Sequence, residues 1–357
     1  MFAKANKIWS PIGLDIGRRR VRAVQLAGSP RKPQLANILM MDRIKPGGAF
    51  DIEEAVRLRE VLDRKGFTGN HIVLAALPDH AMSVVMDLPP RSSGAPLHQI
   101  AGAELARTHR RSPEGLEVAF WDLPRPTGKK IEGEHVMAVG CLQQEADQLL
   151  DVLESQDFYV IGLDMQCWAI VRACRPMIIS RRGIIAVVNI SWNAVTFTLL
   201  HSGVVVYERQ LSGCDLDSLV SRIAQDFKLK EDVVQYLLFQ VGLNDHTDDR
   251  DSSSELYSHI SGSVDTYYES FTQELKLSMS YVEHQYPDDE VVLLMLTGMG
   301  AAVPGLPEYL SQAIETDTHA VKALDLIDCR QATADEMQST ALTTAIGLAL
   351  YDEKGVY

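Results

Sequence analysis

The chain has 357 residues, of which 46% are hydrophobic and 23% charged, so it is long enough for two domains with separate cores and lacks the composition of a disordered protein. Its formal net charge of −14 argues against general binding to nucleic acid or anionic lipid, which both need an excess of lysine and arginine. The five cysteines form no Cys-x-x-Cys pair, and no window approaches the ~18 to 20 apolar residues of a membrane-spanning helix. We therefore expect a protein of the reducing cytosol that reaches a membrane only through a partner.

The first predicted element is a hairpin at residues 12–26, with the sequence IGLDIGRRRVRAVQL. It reads as two short strands joined by a tight turn, with Asp15 on the first strand and Gly17 at the bend. This pattern brings a carboxylate and bare backbone N–H groups to one point, which suits a phosphate and its metal ion. Arginines fill the turn at 18–20, however, and unlike small residues they keep a ligand away from the backbone.

The rest of the first half predicts one sheet interrupted by a small subdomain. After the hairpin we expect a third strand at 33–44, a helix at 51–65 and a buried strand at 71–78. The block 79–160 then reads strand, helix, strand, strand, helix, which is the order of a small α+β subdomain inserted into a larger sheet. A short strand and a helix follow at 159–176.

From Gly183 the chain repeats its opening scheme of three strands in meander, which predicts an internal duplication. The repeated strands are expected at 184–190, 195–200 and 204–211. Helices are expected at 215–227, 230–241, 256–284 and 335–351, with a strand at 291–296 that leads into a glycine-rich turn and a further helix. The polar run from Asn244 to Ser254 predicts a mobile acidic loop, because His246 with Asp245, Asp248, Asp249 and Asp251 lacks the periodic ligand spacing of a calcium loop.

Five segments in this order resemble the actin-like ATPase superfamily, and within it the PilM family of type IV pilus assembly proteins, which is related to the cell-division protein FtsA. The hairpin at 12–26 resembles the first phosphate loop, VVNISWNAVTFTLL (187–200) the second, and LTGMGAAVPGL (296–306) the adenosine loop; segments 208–224 and 274–286 resemble those that flank the nucleotide. The resemblance covers about residues 10 to 350.

The resemblance implies an α/β fold of the actin-like, ribonuclease H-like type, duplicated into two lobes. We expect the first lobe at 8–78 and 161–182, the inserted α+β subdomain at 79–160, and the second lobe at 183–351 with a helical subdomain near 215–286.

The resemblance also implies ATP and Mg²⁺ as cofactors, bound between the two lobes. The positions that match the nucleotide site of the family are Asp15, Gly17, Arg18, Arg22, Asn189, Ser191, Gly213, Gly298, Met299 and Gly300, with Asp15 on the metal side. The implied partner is the cytoplasmic tail of a PilN-like inner-membrane protein, docked in a groove between the first lobe and the subdomain near residues 79–124. Other pilus assembly proteins and a homo-oligomer are further partners to expect; nucleic acid is not.

Several of these positions depart from the family pattern. Arginines replace small hydroxyl residues at 18–20, Arg22 stands where the family has lysine, and neutral Asn189 replaces an aspartate. An amide cannot supply the negative charge that holds a hydrated Mg²⁺ or orients attacking water, and Trp192 adds bulk where a small residue is expected. Because losing one preorganised polar contact commonly costs ~10²- to 10³-fold in rate, we expect a degraded nucleotide site and a pseudo-ATPase.

Other interpretations of the same residues stay open. Asp15 fits a metal-side carboxylate or a turn residue that satisfies backbone N–H groups; the arginines fit phosphate binding or a solvated turn; Met299 fits a pocket filler. The leading function is a cytoplasmic adaptor, peripheral to the inner membrane through its partner. The alternatives are an ATP-dependent switch whose lobe closure controls partner binding, and an FtsA-like filament protein, for which we expect a C-terminal amphipathic helix that the sequence lacks.

Overall fold

The structure is a computed structural model that describes residues 8–29, 32–76, 80–125, 132–241, 253–330 and 332–352. The acidic residues predicted to form a mobile loop, Asp245 to Asp251 with His246, lie outside the described residues. Within the described part of the chain, no helix is long and apolar enough to cross a membrane.

The strands are β1 (Ile12–Ile16), β2 (Arg20–Ser29), β3 (Lys32–Asp42), β4 (His71–Ala75), β5 (Met82–Leu88), β6 (Leu116–Asp122), β7 (Glu134–Leu142), β8 (Tyr159–Asp164), β9 (Ile184–Ile190), β10 (Val195–His201), β11 (Val204–Leu211), β12 (Val291–Thr297) and β13 (Thr318–Ala320). The α-helices are α1 (Ile52–Arg64), α2 (Leu97–Thr108), α3 (Gln143–Glu154), α4 (Gln166–Ile178), α5 (Leu216–Phe227), α6 (Glu231–Tyr236), α7 (Ser253–Gln285), α8 (Leu306–Ile314), α9 (Ala323–Leu326), α10 (Ala334–Gln338) and α11 (Thr343–Ala349).

The predicted duplication is confirmed by two five-stranded sheets with the same plan. The first sheet has the order β3-β2-β1-β4-β8, and the second has the order β11-β10-β9-β12-β13. In the first sheet β1 pairs with β2 antiparallel and with β4 parallel, and in the second β9 pairs with β10 antiparallel and with β12 parallel. Each half is thus a meander extended by two parallel strands, and the carboxyl ends of the parallel strands share one edge of each sheet.

The inserted subdomain forms a sheet of its own with the order β5-β7-β6. Helix α2 covers one face of this sheet and buries a small apolar cluster that includes Met86, Leu88, Ala101, Val136 and Ala138. A strand-helix-strand-strand-helix order therefore gives the small α+β layer that the sequence predicts. Strand β7 lies between β5 and β6 and pairs antiparallel with both, so β5 and β6 are the two edges of this sheet.

Most predicted elements are confirmed within one or two residues, with three exceptions. The helix expected at 335–351 is divided into α10 and α11, and the buried residues Thr340 and Leu342 lie in the break between them. The α-helix expected at 230–241 is shorter than predicted: α6 ends at Tyr236, and a π-helical turn follows at Leu237–Val241. Strand β13 was not predicted, since its three residues are too few to show a period of two.

The chain forms two compact units. The first contains Met1–Ser180, Gly203–Val206 and Lys322–Tyr357, and the second contains Arg181–Ser202 and Tyr207–Val321. The sequence places the end of the second lobe at 351, whereas in this division the segment Lys322–Tyr357 belongs to the first unit. Contacts between α11 and the strands β1 and β2 account for this assignment.

Two glycines allow α11 to pack closely within the first unit. A Cβ atom at Gly13 of β1 would lie 2.1 Å from the Ala345 carbonyl oxygen, and one at Gly347 of α11 would lie 1.7 Å from the Ala169 carbonyl oxygen of α4. Backbone therefore meets backbone on both sides of the helix. Glycine is the residue that permits this, because it has no Cβ.

Candidate functional site

In the first hairpin Asp15 on β1 lies opposite Arg22 on β2, and the two residues are cross-strand partners. The Asp15 side chain is 10% exposed, and its Oδ2 atom lies 3.2 Å from Nη1 of Arg22. Burial raises the pKa of Asp15 above its ordinary value of 3.8, while the positive charge and hydrogen bond of Arg22 act to lower it. The carboxylate expected on the metal side of the site thus contacts a fixed cation.

The hairpin turn is closed by its own backbone. The Gly17 N–H donates to the Arg20 carbonyl at 2.9 Å, so this N–H is engaged within the turn. The Arg18 carbonyl accepts from the Gly47 N–H at 2.8 Å, and the Arg18 guanidinium lies 3.5 Å from the Gly47 carbonyl oxygen. The turn is therefore tied to the loop that precedes α1.

Asn189 of the second hairpin is 4% exposed and lies within hydrogen-bond distance of two side-chain hydroxyls. Its Oδ1 atom accepts a hydrogen bond from the Thr297 hydroxyl at 3.3 Å, and its Nδ2 atom lies 3.4 Å from the Ser191 hydroxyl. The Ser191 N–H donates to the Ala194 carbonyl at 2.9 Å and closes the turn. The second hairpin thus contains a neutral amide network where the first contains an ion pair.

Trp192 is packed into the second unit and hydrogen-bonded to helix α5. Its side chain is buried, and its indole N–H donates to Asp217 Oδ1 at 2.6 Å. The Asp217 N–H in turn donates to the Trp192 carbonyl at 2.8 Å. The bulky residue expected at this loop is therefore a structural part of the turn.

The glycine-rich turn after β12 packs against the end of β9. Gly298 has φ +80°, and a Cβ there would lie 2.5 Å from the Ile190 carbonyl oxygen and 2.6 Å from Asn189 Oδ1. A Cβ at Gly300 would lie 2.2 Å from the Ile190 side chain. Met299 between them is half-buried and begins a short 3-10 helix. Both glycines are explained by this close approach.

Gly213 lies exposed in the turn before α5, where it has φ +71° and where a Cβ would meet nothing within 4 Å. The next residue, Cys214, is buried, and the Tyr267 hydroxyl donates to its carbonyl. Burial raises the pKa of the Cys214 thiol to about 12, so it is not a reactive thiolate at neutral pH.

A second buried acid, Asp164, ends strand β8 at the same edge of the first sheet. Ala75 pairs with Asp164 in register, and Leu14 pairs with Leu74, so Asp15 and Asp164 lie in one row across β4. Asp164 Oδ2 lies 2.8 Å from Nη1 of Arg172, which also donates to the Gly347 carbonyl at 2.9 Å. The signal available in the sequence was an acidic residue at the end of a predicted strand. Its partner Arg172 lies on the next helix, so the pairing could be identified only from the fold.

The predicted site residues fall into two sets. Asp15, Gly17, Arg18 and Arg22 lie together in the first unit, and the remaining positions, from Asn189 to Gly300, lie in the second. Within the second set, Asn189, Ser191 and Gly298 are neighbours. Among the described residues there is no group of three or more His, Cys, Asp or Glu side chains that could hold a metal ion.

The duplicated sheets, the inserted subdomain and the glycine-rich turn define the class of proteins with the actin-like ATPase fold. The chain resembles the solved structure of a PilM-PilN type IV pilus biogenesis complex, with a TM-score of 0.76 at 19% identity over 96% of this chain and 98% of that one. The sequence also matches the family described as "Type IV pilus assembly protein PilM" over residues 13–353. The chain belongs to this family of type IV pilus assembly proteins.

More distant structures share the fold. One is the ethanolamine utilization protein EutJ from Carboxydothermus hydrogenoformans, with a TM-score of 0.54 at 14% identity over 97% of this chain and 90% of that one. Another is MreB 5 of Spiroplasma citri bound to AMPPNP, with a TM-score of 0.52 at 12% identity over 97% and 95% of the two chains. No curated protein sequence matches the chain.

Proposed function

We propose that this protein is a cytoplasmic adaptor of a type IV pilus or related envelope machine, which binds the cytoplasmic tail of a PilN-like inner-membrane protein. The observation that carries the proposal is the family match over residues 13–353. A fold shared with a PilM protein that was solved as a complex with PilN supports it.

The adaptor works, in this proposal, without nucleotide hydrolysis. Asp15 is paired with Arg22, and Asn189 is a neutral residue among neutral partners. Trp192 fills the second turn. A hydrated Mg²⁺ needs oxygen ligands with negative charge, and these positions supply one carboxylate that already has a cation. ATP and Mg²⁺ are therefore not required for the proposed binding function.

The docking surface that we propose is the groove near residues 79–124. Strand β6 is an edge of the subdomain sheet, and Glu117 and Ala119 on it are exposed. An extended peptide can add to such an edge through backbone hydrogen bonds, while pockets for alternate side chains select its sequence. Trp121 near the end of the same strand packs edge-on against Trp168, with the ring centroids 5.2 Å apart.

Isothermal titration calorimetry with a peptide of the partner's cytoplasmic tail tests the adaptor proposal. We expect saturable binding with a Kd of tens of micromolar or below, and a loss of roughly tenfold or more in affinity for Ala119→Arg, because a long side chain on β6 obstructs the groove. Ala103→Arg is the matched control, since Ala103 lies exposed on α2 in the same subdomain. Equal binding by both variants would place the peptide elsewhere, and no heat with any of the proteins would refute the adaptor proposal.

A thermal melt with about 1 mM Mg-ATP tests whether the nucleotide site is lost. A ligand that binds only the folded state raises the melting temperature with its concentration. We expect no rise. A concentration-dependent rise would instead favour the ATP-dependent switch, in which nucleotide closure controls the affinity for the partner.

A further inference from the structure

Strand β2 carries two arginine–aspartate pairs that differ in their surroundings. Arg22 pairs with Asp15 in the sheet interior, where the two side chains are 14% and 10% exposed. Arg20 pairs with Asp42 at the surface, where the side chains are 47% and 73% exposed. A surface pair contributes little to stability, whereas a buried carboxylate needs a compensating charge. The inner pair therefore carries an electrostatic role that the outer pair does not.

The geometry of the Arg22–Asp15 pair indicates that Arg22 compensates a buried charge and does not form a strong, bidentate ion pair. Arg22 contacts Asp15 through Nη1 alone, and its Nε atom is buried with no hydrogen-bond partner. A guanidinium that binds a carboxylate for strength uses two parallel N–H groups. A Cβ at Gly17 would lie 3.5 Å from the same Nη1 atom, so the guanidinium reaches the base of the turn. This is the point at which a phosphate and its metal ion would need a free carboxylate.

The described residues do not fit a bound Mg²⁺ at this position. Mg²⁺ takes oxygen ligands in octahedral geometry and is usually held by one or two carboxylates together with phosphates. Asp15 is already paired with Arg22, and the described part of the chain has no three-residue group of metal-binding side chains. A divalent cation would have to displace a buried guanidinium or share its carboxylate with it.

We propose that Arg22 permanently supplies the positive charge that a divalent cation would supply at Asp15, so that the first hairpin holds its shape without metal or nucleotide. This inference rests on the proposed loss of the nucleotide site and names the residue that compensates Asp15 in the absence of a metal. Arg22 acts through Asp15 and is a positioning residue. Its removal exposes the carboxylate to any cation that fits, which an ordinary structural ion pair does not predict.

Thermal melts of the full chain test the inference, with EDTA or about 10 mM MgCl₂ or MnCl₂ present. We expect the natural chain to melt at the same temperature in all three conditions. Arg22→Ala should melt roughly 6 to 15 °C lower in EDTA, because it leaves a buried carboxylate without its partner. Either cation should then recover about 3 to 5 °C of that loss. Arg20→Ala is the matched control and should lose at most about 2 °C, with no response to metal.

The double variant Asp15→Asn/Arg22→Ala separates charge from packing. It should melt above Arg22→Ala in EDTA and show no response to metal, because the carboxylate that needs a cation is gone. If Arg22→Ala does not fold, the double variant must still fold with the circular dichroism spectrum of the natural chain. The inference is overturned if the double variant is no more stable than the single one, if Arg22→Ala gains no metal response, or if metal stabilises the natural chain equally. Calorimetry with the tail peptide is independent of all these melts, so a failure of the adaptor proposal is recognised separately.

Discussion

The two hairpins of the duplicated fold occupy equivalent places in their sheets and have diverged in chemistry. The first strand of each sheet is followed by a tight turn and an antiparallel partner, and is flanked on its other side by a parallel strand. In the first hairpin the polar residue near the end of this strand is Asp15, balanced by Arg22. In the second it is Asn189, balanced by the hydroxyls of Thr297 and Ser191.

The difference shows two ways to keep a polar group inside a sheet. A buried carboxylate is tolerated only with a cation beside it, whereas a buried amide needs nothing more than hydrogen-bond partners. Both hairpins have therefore satisfied their polar residue within the chain. Hydrolysis of a nucleotide needs the opposite condition, in which polar groups keep bonds free for metal and phosphate. This contrast is the physical argument behind the proposal that the protein works without nucleotide hydrolysis.

The largest loss of stability is expected when a side chain is added to a glycine that lies against the backbone of another element. Gly13→Ala should destabilise the first unit by roughly 3 kcal/mol or more, because the new Cβ would lie 2.1 Å from the Ala345 carbonyl oxygen and 2.4 Å from the Ala349 nitrogen. Gly298→Ala should have a similar effect in the second unit, where the obstacles are Ile190 and Asn189. Chemical denaturation followed by circular dichroism measures both.

Gly262→Ala is the control for these glycine variants. Gly262 lies within α7, and a Cβ there would meet nothing within 4 Å. Because alanine is the better helix former, we expect a gain of roughly 0.5 to 1 kcal/mol. Equal losses at Gly13 and Gly262 would mean that the close approach of α11 to β1 does not limit the first unit.

A smaller effect is expected when the second hairpin is given the charge of the first. Asn189→Asp introduces an acidic residue at a position that is 4% exposed and that lies beside the neutral hydroxyls of Thr297 and Ser191. We expect a loss of roughly 2 to 3 kcal/mol in the free energy of unfolding at neutral pH, measured by urea denaturation. The loss should shrink as the pH falls, since a protonated carboxyl resembles the amide.

Asn37→Asp provides the control, because Asn37 lies half-buried on β3 and donates to the Gln25 side chain and the Gly66 carbonyl. It should lose less than Asn189→Asp. If Asn189→Asp were neutral and gained a response to Mg²⁺, the second hairpin would still be able to host a metal, and the contrast between the hairpins would not hold.

The sequence predicted the architecture well because the pattern is local. Alternating and continuous apolar runs marked β1 to β4 and β9 to β12, and the acidic first turn with Asp51 marked the start of α1, where the Asp51 side chain accepts from the Glu54 N–H. The destination of the C-terminal segment could not be read this way. Helix α11 packs in the first unit through close contacts of Gly13 and Gly347 with backbone that is distant in sequence. A local sequence pattern does not predict such long-range contacts.

The sequence named the candidate site residues, which remain a prediction, but it did not show how they are bonded. Asp15, Asn189 and Gly298 were found by resemblance to known loops, and the missing charge at Asn189 was visible in the sequence. The sequence also marked Arg22 as a departure. Its pairing with Asp15 became visible only from the register of β1 and β2, in which the two residues are opposite each other. Likewise Asp217 holds Trp192 from a different element, at a separation of 25 residues.

The smallest effect concerns the pH dependence of the inner pair in the first hairpin. Burial raises the pKa of Asp15 above 3.8 in the folded protein, and Arg22 only partly opposes this. The folded chain then binds this proton more tightly than the unfolded chain does, so the stability linked to Asp15 is fully present below 3.8 and is lost as the pH rises through the folded-state pKa. Asp15→Asn has no such titration.

Urea denaturation of the natural chain and of Asp15→Asn, from about pH 4 to pH 7, isolates this term. The free energy of unfolding of the natural chain should fall relative to that of Asp15→Asn as the pH rises, and the difference should then become constant. A difference that rises with pH would mean that the attraction of Arg22 outweighs burial, so that the inner pair stabilises the charged carboxylate outright. The sign of this slope therefore shows whether the protein destabilises or stabilises the charged carboxylate of Asp15 in the first hairpin. Asn189 in the second hairpin does not titrate, so no such slope is expected from it.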